Sequence, residues 1–295
     1  MTQPIDYRSD DDDNFRWLDF EHRDGDIVIS TRSKHGTTWL QMICALLVFG
    51  TTDLPAPLAE LSPWLDWRGL PRDDVFDQLA AQSHRRFIKT HTPLDGLPLH
   101  PRVTYIVVAR HPLDAALSLY HHSANIDRQR LGELTGRTHA DQSADRASAD
   151  SWLRGWIEAD PEPADALESL PGVLHHLRDA WSRRSNHDVV MVRYDDLALD
   201  LEAQMRALAD HLDISVDPTS WPELVAAARF EAMAARADQL APDPGGILRD
   251  RAGFFRQGRR GEAQALLTDS DLACYFERVV ALGPPELVGW LHPGR

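Results

Sequence analysis

The chain is poor in cysteine. Its 295 residues contain two, Cys44 and Cys274. Two thiols cannot build a disulfide framework, and no Cys/His spacing matches a zinc site. Cys44 lies in an apolar stretch and reads as a small core residue. The adjacent pairs His121-His122 and His175-His176 would point to different sides of a helix and make poor chelates. No run of about 18 apolar residues occurs, so no membrane span is expected. The first residues are polar, with an acidic run at Asp10–Asp13, unlike a secretory leader. Positive charge is the scarcer sign: 31 Lys and Arg stand against 46 Asp and Glu, a net charge of −15. That balance argues against a non-specific nucleic-acid binder. A soluble cytoplasmic protein is the expectation. At 43% hydrophobic residues the chain has ample material for a core, and it shows no internal repeat.

What is present concentrates in Ile27-Val28-Ile29-Ser30-Thr31-Arg32-Ser33-Lys34-His35-Gly36-Thr37-Thr38-Trp39. A β-branched apolar run leads into a polar loop and then a helix. Trp39, Met42, Ile43, Leu46 and Leu47 share one helical face, and Phe49-Gly50 offers a C-terminal stop. This is the opening unit of a doubly wound α/β fold. The unpartnered N–H groups of a helix start, the helix dipole and one Lys together make an anion pocket. Gly36 lets the backbone approach, and Thr37 and Thr38 add hydroxyl donors. The matching ligand is a phosphate or sulfate ester.

The loop is not a Walker A motif, because Lys34 precedes Gly36 and the loop holds no earlier glycine. The buried-strand candidate Val103–Ala109 ends in Arg110-His111-Pro112, not in a metal-holding Asp. A cation stands where a Mg-nucleotide enzyme needs a carboxylate, so the site reads as built for an anion handled without metal. Pro112 suits a first helical turn, and Leu113, Ala116, Leu117 and Tyr120 give that helix an inward face. Ser118 falls on a different face.

These segments resemble the cytosolic-type sulfotransferases, which use 3′-phosphoadenosine 5′-phosphosulfate (PAPS). The resemblance rests on Lys34-His35-Gly36-Thr37-Thr38-Trp39, on Lys89-Thr90-His91, and on Arg110 with Ser118 eight residues on, and it runs from about Phe20 to Arg260. It implies a P-loop-like three-layer α/β sandwich, with a central parallel sheet flanked by helices. It implies sulfuryl transfer from PAPS to an acceptor hydroxyl or amine, leaving adenosine 3′,5′-bisphosphate (PAP), with no metal. By the same resemblance His91 is the general base, Lys34 balances charge on the leaving group and Lys89 assists at the sulfuryl group. Arg110 and Ser118 hold the 3′-phosphate, and Trp39, Tyr194 and Phe230 approach the nucleotide. A mobile Arg-Lys-Gly loop of the family corresponds to Arg256-Gln257-Gly258, where Gln replaces Lys and Arg259 or Arg260 could compensate. His35 stands where the family often has a small residue, which gives its side chain access to phosphates or acceptor. Ala263–Asp269 lacks the Lys and Val of a dimerisation segment known in animal members, so oligomeric state stays open. Two other readings remain in view: a P-loop-type kinase or hydrolase, and a non-catalytic nucleotide-binding protein of the same fold.

Around these motifs, residues 1–15 read as a disordered acidic tail and 16–295 as a single domain. Val189–Arg193 reads as another buried strand. Val173, Leu177 and Trp181 mark one helix, and Leu201, Met205, Leu208 and Leu212 another. Residues 131–150, rich in Gly, Ala, Ser and Asp, read as a mobile loop or lid. Trp64 and Trp67 lie in a Pro-rich stretch that either lines the acceptor pocket or covers the core edge. Residues 51–80, 121–150 and 235–255 are expected to shape an acceptor site for a hydrophobic alcohol, phenol or lipid-like hydroxyl.

Overall fold

The computed structural model describes residues 3–7, 9, 11–136, 146–243, 245–256 and 261–294. Four strands, β1 (Ile27–Ser30), β2 (Phe87–Thr90), β3 (Thr104–Ala109) and β4 (Val189–Arg193), form one parallel sheet in the order β2-β1-β3-β4. Ile27 pairs with Phe87 on one side and Thr104 on the other. The chain leaves β1 toward β2 at one edge and then crosses to β3, so the order switches direction beside β1. Ligands of open α/β sheets bind outside the carboxyl ends at such a point.

Both sheet faces are buried, as all-parallel sheets require. Side chains alternate across a strand. Ile27, Ile29, Ile106 and Val108 face one apolar layer, with the helices Thr37–Phe49, Leu201–His211 and Trp221–Ala227. Val28, Tyr105 and Val107 face the other, with Pro112–Asn125, Ala149–Glu158, Leu170–Arg183 and Asp269–Leu282. The result is the expected three-layer sandwich. The strand and helix boundaries fall within a residue or two of the sequence reading. Helix Thr37–Phe49 differs in one respect: it is buried around nearly its whole girth, not on one face. It packs on β1 and β2 and against the short helix Leu58–Leu61. Gly50 ends it in the left-handed region (φ 64°), its N–H donating to the Leu46 carbonyl at 2.9 Å.

Two expectations need correction. The N-terminal segment does not simply fray. Tyr7 and Asn14 are buried. The Tyr7 hydroxyl donates to the Asp95 carboxylate at 2.9 Å, and the Asn14 amide donates to the Ile5 and Gly96 carbonyls at 2.8 Å each. Partners far along the chain fix it, and local composition could not reveal them. Residues 131–150 are also not one loop. Leu131–Thr135 complete the helix Arg128–Thr135, with Leu131 packed on Trp67, and Ala149 opens the next helix. The lid expectation for 137–145 lies outside the described residues.

At the amino ends of β1 and β2, Asp26 and Arg86 form a buried pair. The Arg86 Nε donates to an Asp26 oxygen at 2.8 Å, and the Arg23 N–H donates to the other oxygen at 2.8 Å. Burial alone would raise the Asp26 carboxyl, but His22, Arg86 and the Arg23 N–H hold it below its ordinary value. Its stabilising contribution is therefore complete above about pH 4 and lost as pH falls through the lowered folded value. Asp26→Asn leaves the Arg86 charge buried and unpaired. It is expected to lower stability in urea melts at pH 7 by about 3–5 kcal/mol. The difference from wild type should narrow in melts below pH 4.

Candidate active site

Each strand delivers side chains from its carboxyl end into one cavity of about 190 Å³. After β1 the chain turns through Lys34 (φ 66°) and Gly36 (φ 109°), two left-handed positions that flank His35. Gly36 is required twice over. Its backbone conformation disfavours a side chain, and an added Cβ would lie 3.0 Å from the Tyr194 ring. No side chain caps the helix that starts at Thr37. Its first-turn residues Thr37, Thr38 and Trp39 line the cavity and present an anion-favouring helix end. The hydroxyls of Thr31 and Thr37 hydrogen-bond each other.

At the end of β2, the period of two puts Lys89 and His91 on the cavity side and Thr90 on the other. The Thr90 and Thr92 hydroxyls donate to one oxygen of the buried Asp66, Thr92 at 2.7 Å. His91 Nδ1 is hydrogen-bonded to the Thr31 carbonyl. A carbonyl only accepts, so Nδ1 carries the proton and Nε2 keeps its lone pair. Burial, reinforced by Lys89 and Arg32, holds the imidazole well below its ordinary pKa, so it is neutral near pH 7.

Arg110 follows β3. It donates to the Lys34 carbonyl at 3.1 Å, and its guanidinium lies 4.6 Å from the centre of the Tyr194 ring. Ser118, two turns into the next helix, faces the same cavity. Tyr194 follows β4 and meets Trp39 edge-on at 5.0 Å, while the Trp39 indole donates to the Ala228 carbonyl at 2.8 Å. Phe230 and Arg256 complete the expected set, Arg256 pairing with Glu262 at 2.6 Å. The Gly261 N–H at the far end of that basic segment donates to Asp114 at 2.9 Å, which anchors it to the helix carrying Ser118.

His35 departs from expectation. It is not part of the cavity wall. Its ring is buried, and Nδ1 donates to the Ser33 carbonyl at 3.1 Å. Burial lowers its pKa to about 4, so it serves the loop as a neutral internal strut. Gln257 and Gly258 lie outside the described residues. The sequence reading did not single out His122, Met233, Phe254 or Phe255, all of which line the cavity, although His122, Phe254 and Phe255 fall in the stretches 121–150 and 235–255 expected to shape the acceptor site. Two had a usable signal: His122 is one helical turn past Ser118, and Met233 is one turn past Phe230. Among the described residues no group of His, Cys, Asp or Glu is placed to hold a metal, and no helix is long and apolar enough to cross a membrane.

The cations crowd each other. Burial lowers the Lys34 pKa to about 7, with help from Arg110, Lys89 and Arg256. Burial lowers Lys89 to about 8, partly opposed by Asp12 and Asp66. The Lys34 ammonium sits 3.8 Å over the Phe254 ring and Lys89 3.8 Å over Trp64, both sheltered by aromatic faces. A bound polyanion would raise both pKa values, so binding takes up protons above pH 7. PAP affinity is therefore expected to fall as pH rises from 7 to 9, by at most about tenfold per pH unit for each proton taken up. Calorimetry in buffers of different ionisation enthalpy should show that uptake at pH 8, and a Lys34→Met variant should show less of it.

The geometry agrees with the comparisons. Residues 24–280 match the model of the sulfotransferase domain. A glycolipid sulfotransferase of Mycobacterium bovis is 39% identical, covering 100% of this chain and 96% of its own length. A glycolipid sulfotransferase of Mycobacterium tuberculosis is 38% identical over the same shares. Among solved structures, mouse sulfotransferase SULT7A1 complexed with PAP superposes with a TM-score of 0.69 at 18% identity, over 93% of this chain and 90% of that one. Retinol dehydratase in complex with retinol and PAP superposes with a TM-score of 0.67 at 19% identity, over 90% and 83%. At such identity these two speak for the fold. The domain match, the near full-length relatives and a cavity that gathers all three signature segments agree: the chain belongs to the sulfotransferase family and is a PAPS-dependent sulfotransferase.

Proposed function

We propose that His91 is the general base of this enzyme and that the acceptor is a hydroxyl on a lipid-bearing molecule. The observation that carries the first part is the His91 hydrogen bond to Thr31, which leaves the Nε2 lone pair on a neutral ring beside Lys89. The acceptor oxygen attacks sulfur as His91 Nε2 takes its proton. The bond between sulfur and the bridging oxygen breaks, and the electron pair leaves with that oxygen on PAP. Lys34 and the first-turn N–H groups of Thr37 and Thr38 balance the charge that grows there, and Lys89 does so at the sulfuryl oxygens. Arg110 and Ser118 hold the 3′-phosphate, and Arg suits it through its planar fork. Trp39, Tyr194 and Phe230 flank the base, and Arg256 meets the phosphates. A kinase reading is weaker, because Arg110 occupies the strand end where a metal-holding carboxylate is needed.

Two observations support the acceptor class. The curated relatives are named glycolipid sulfotransferases. The cavity is also flanked by Ile126, Ile247, Leu248 and Phe254, an apolar wall suited to a hydrocarbon portion. The cytoplasm suits the free thiols Cys44 and Cys274.

Removing the base should spare nucleotide binding. His91→Ala is expected to lower kcat by about 10²–10⁴-fold while PAP binds as in wild type. Turnover within threefold of wild type in a steady-state assay would remove His91 from the mechanism.

A further inference from the structure

The ladder between β1 and β2 runs to the Thr31 N–H, which donates to the Thr90 carbonyl at 3.2 Å. The parallel register calls next for the Thr92 N–H on the Thr31 carbonyl. The Thr92 N–H donates instead to the Thr90 hydroxyl at 3.0 Å. The Thr31 carbonyl is left to the His91 imidazole, and the His91 carbonyl accepts from the Nη1 of Arg32. Side chains thus tie the two strand ends together where the backbone ladder stops. Arg32 is 3% exposed and is not part of the reaction cavity wall. Its other terminal nitrogen, Nη2, donates to the Glu168 carboxylate at 2.6 Å. Glu168 stands in the turn before helix Leu170–Arg183. The Trp156 indole donates to the Glu168 carbonyl at 2.8 Å, and the next residue, Ser169, caps the helix by accepting from the Gly172 N–H at 3.1 Å. The turn that carries the carboxylate is therefore held on both sides.

We propose that Arg32 is the positioning residue of His91, with Glu168 as its anchor. Its place in catalysis rests on the reading of His91 as the base, whereas the clamp itself does not. A base must present its lone pair within hydrogen-bond reach of the acceptor proton. A ring held only at Nδ1 would follow any slip of the strand end that bears it. Arg32 opposes that slip. One terminal nitrogen grips the His91 backbone and the other is fixed to the helical layer. The two bonds are reciprocal: Thr31 receives from the His91 ring, and its neighbour Arg32 gives to the His91 backbone. A planar fork can hold two such partners at once, which a single ammonium does poorly. Because Arg32 lies outside the cavity wall, its effect on the reaction passes through His91.

The test uses Arg32→Met, which keeps an unbranched apolar side chain, and Glu168→Ala at a partly exposed site. Each is read by the steady-state assay used for His91→Ala, by PAP calorimetry and by a ¹H–¹⁵N imidazole spectrum at pH 7. The His91 signal is the one lost in His91→Ala. Wild type should show His91 as a single Nδ1–H tautomer, whereas a ring freed from Thr31 exchanges between tautomers. Arg32→Met should show that exchange and lower kcat by about 10–100-fold, the scale of a small misplacement of a reacting group, with PAP affinity within about twofold of wild type. Glu168→Ala should lower kcat in the same direction by about three- to tenfold, and the double variant should be no slower than Arg32→Met, because the anchor acts through Arg32. Retention of the single tautomer in Arg32→Met would overturn the clamp. So would a fall in PAP affinity that matches the fall in kcat, which marks general damage. Losses that multiply in the double variant would remove Glu168 as the anchor. A slow His91→Ala beside an Arg32→Met that keeps wild-type kcat refutes the positioning role alone. A His91→Ala that turns over like wild type, while Arg32→Met still frees the ring, leaves the clamp standing and removes the base reading.

Discussion

Four cationic side chains, Lys34, Lys89, Arg110 and Arg256, are aimed at one small cavity, and the rest of the molecule is arranged to tolerate that crowding. Burial and mutual repulsion bring Lys34 to about 7 and Lys89 to about 8, so the protein holds them near the limit of remaining charged. A parallel sheet makes the concentration possible, because all four strands end on the same side. Each cation then arrives on a separate element whose position is fixed by the core. The charges are pre-aimed, so little rearrangement is needed when a polyanion arrives.

The counterweight is Asp66. One of its oxygens takes hydrogen bonds from the Trp17 indole and the Thr90 and Thr92 hydroxyls, directly behind Lys89 and His91. The Asp66 carbonyl in turn accepts from the Asp13 N–H at 2.8 Å, and the Arg68 N–H donates to the Asp11 carbonyl at 2.7 Å. The N-terminal segment thus gives backbone support to the strand end that bears Lys89 and His91, while burial pushes its Asp12 carboxyl well above the usual range.

The sheet was legible because β1, β3 and β4 are short β-branched runs bounded by polar loops. The site was legible to the same extent, because its residues follow those strands directly: Lys34 after β1, Arg110 after β3, Tyr194 after β4. Sequence adjacency fails where the partner is remote. Tyr7 docks on Asp95 and beside His175, and no local pattern announces either. His35 was misplaced because a loop has no period from which to read direction. Phe254 and Phe255 fall in the stretch 235–255 expected to shape the acceptor site, but the seating of Phe254 against Lys34 is set by tertiary packing that no local pattern shows.

Gly36 and Tyr194 give the signature loop a dependence on its distant partner. The tyrosine ring fills the place of the missing Cβ, and that ring belongs to the helix that follows β4. During synthesis the Lys34–Thr38 loop is made early, yet its cover arrives about 160 residues later, seconds to tens of seconds afterwards at ordinary elongation speed. Until β4 has joined the sheet, the growing polypeptide carries the anion-binding letters without the finished cradle. The motif is therefore not a portable module. Transplanted into another α/β chain, it would need an aromatic side chain delivered from a neighbouring strand end before it could hold its ligand.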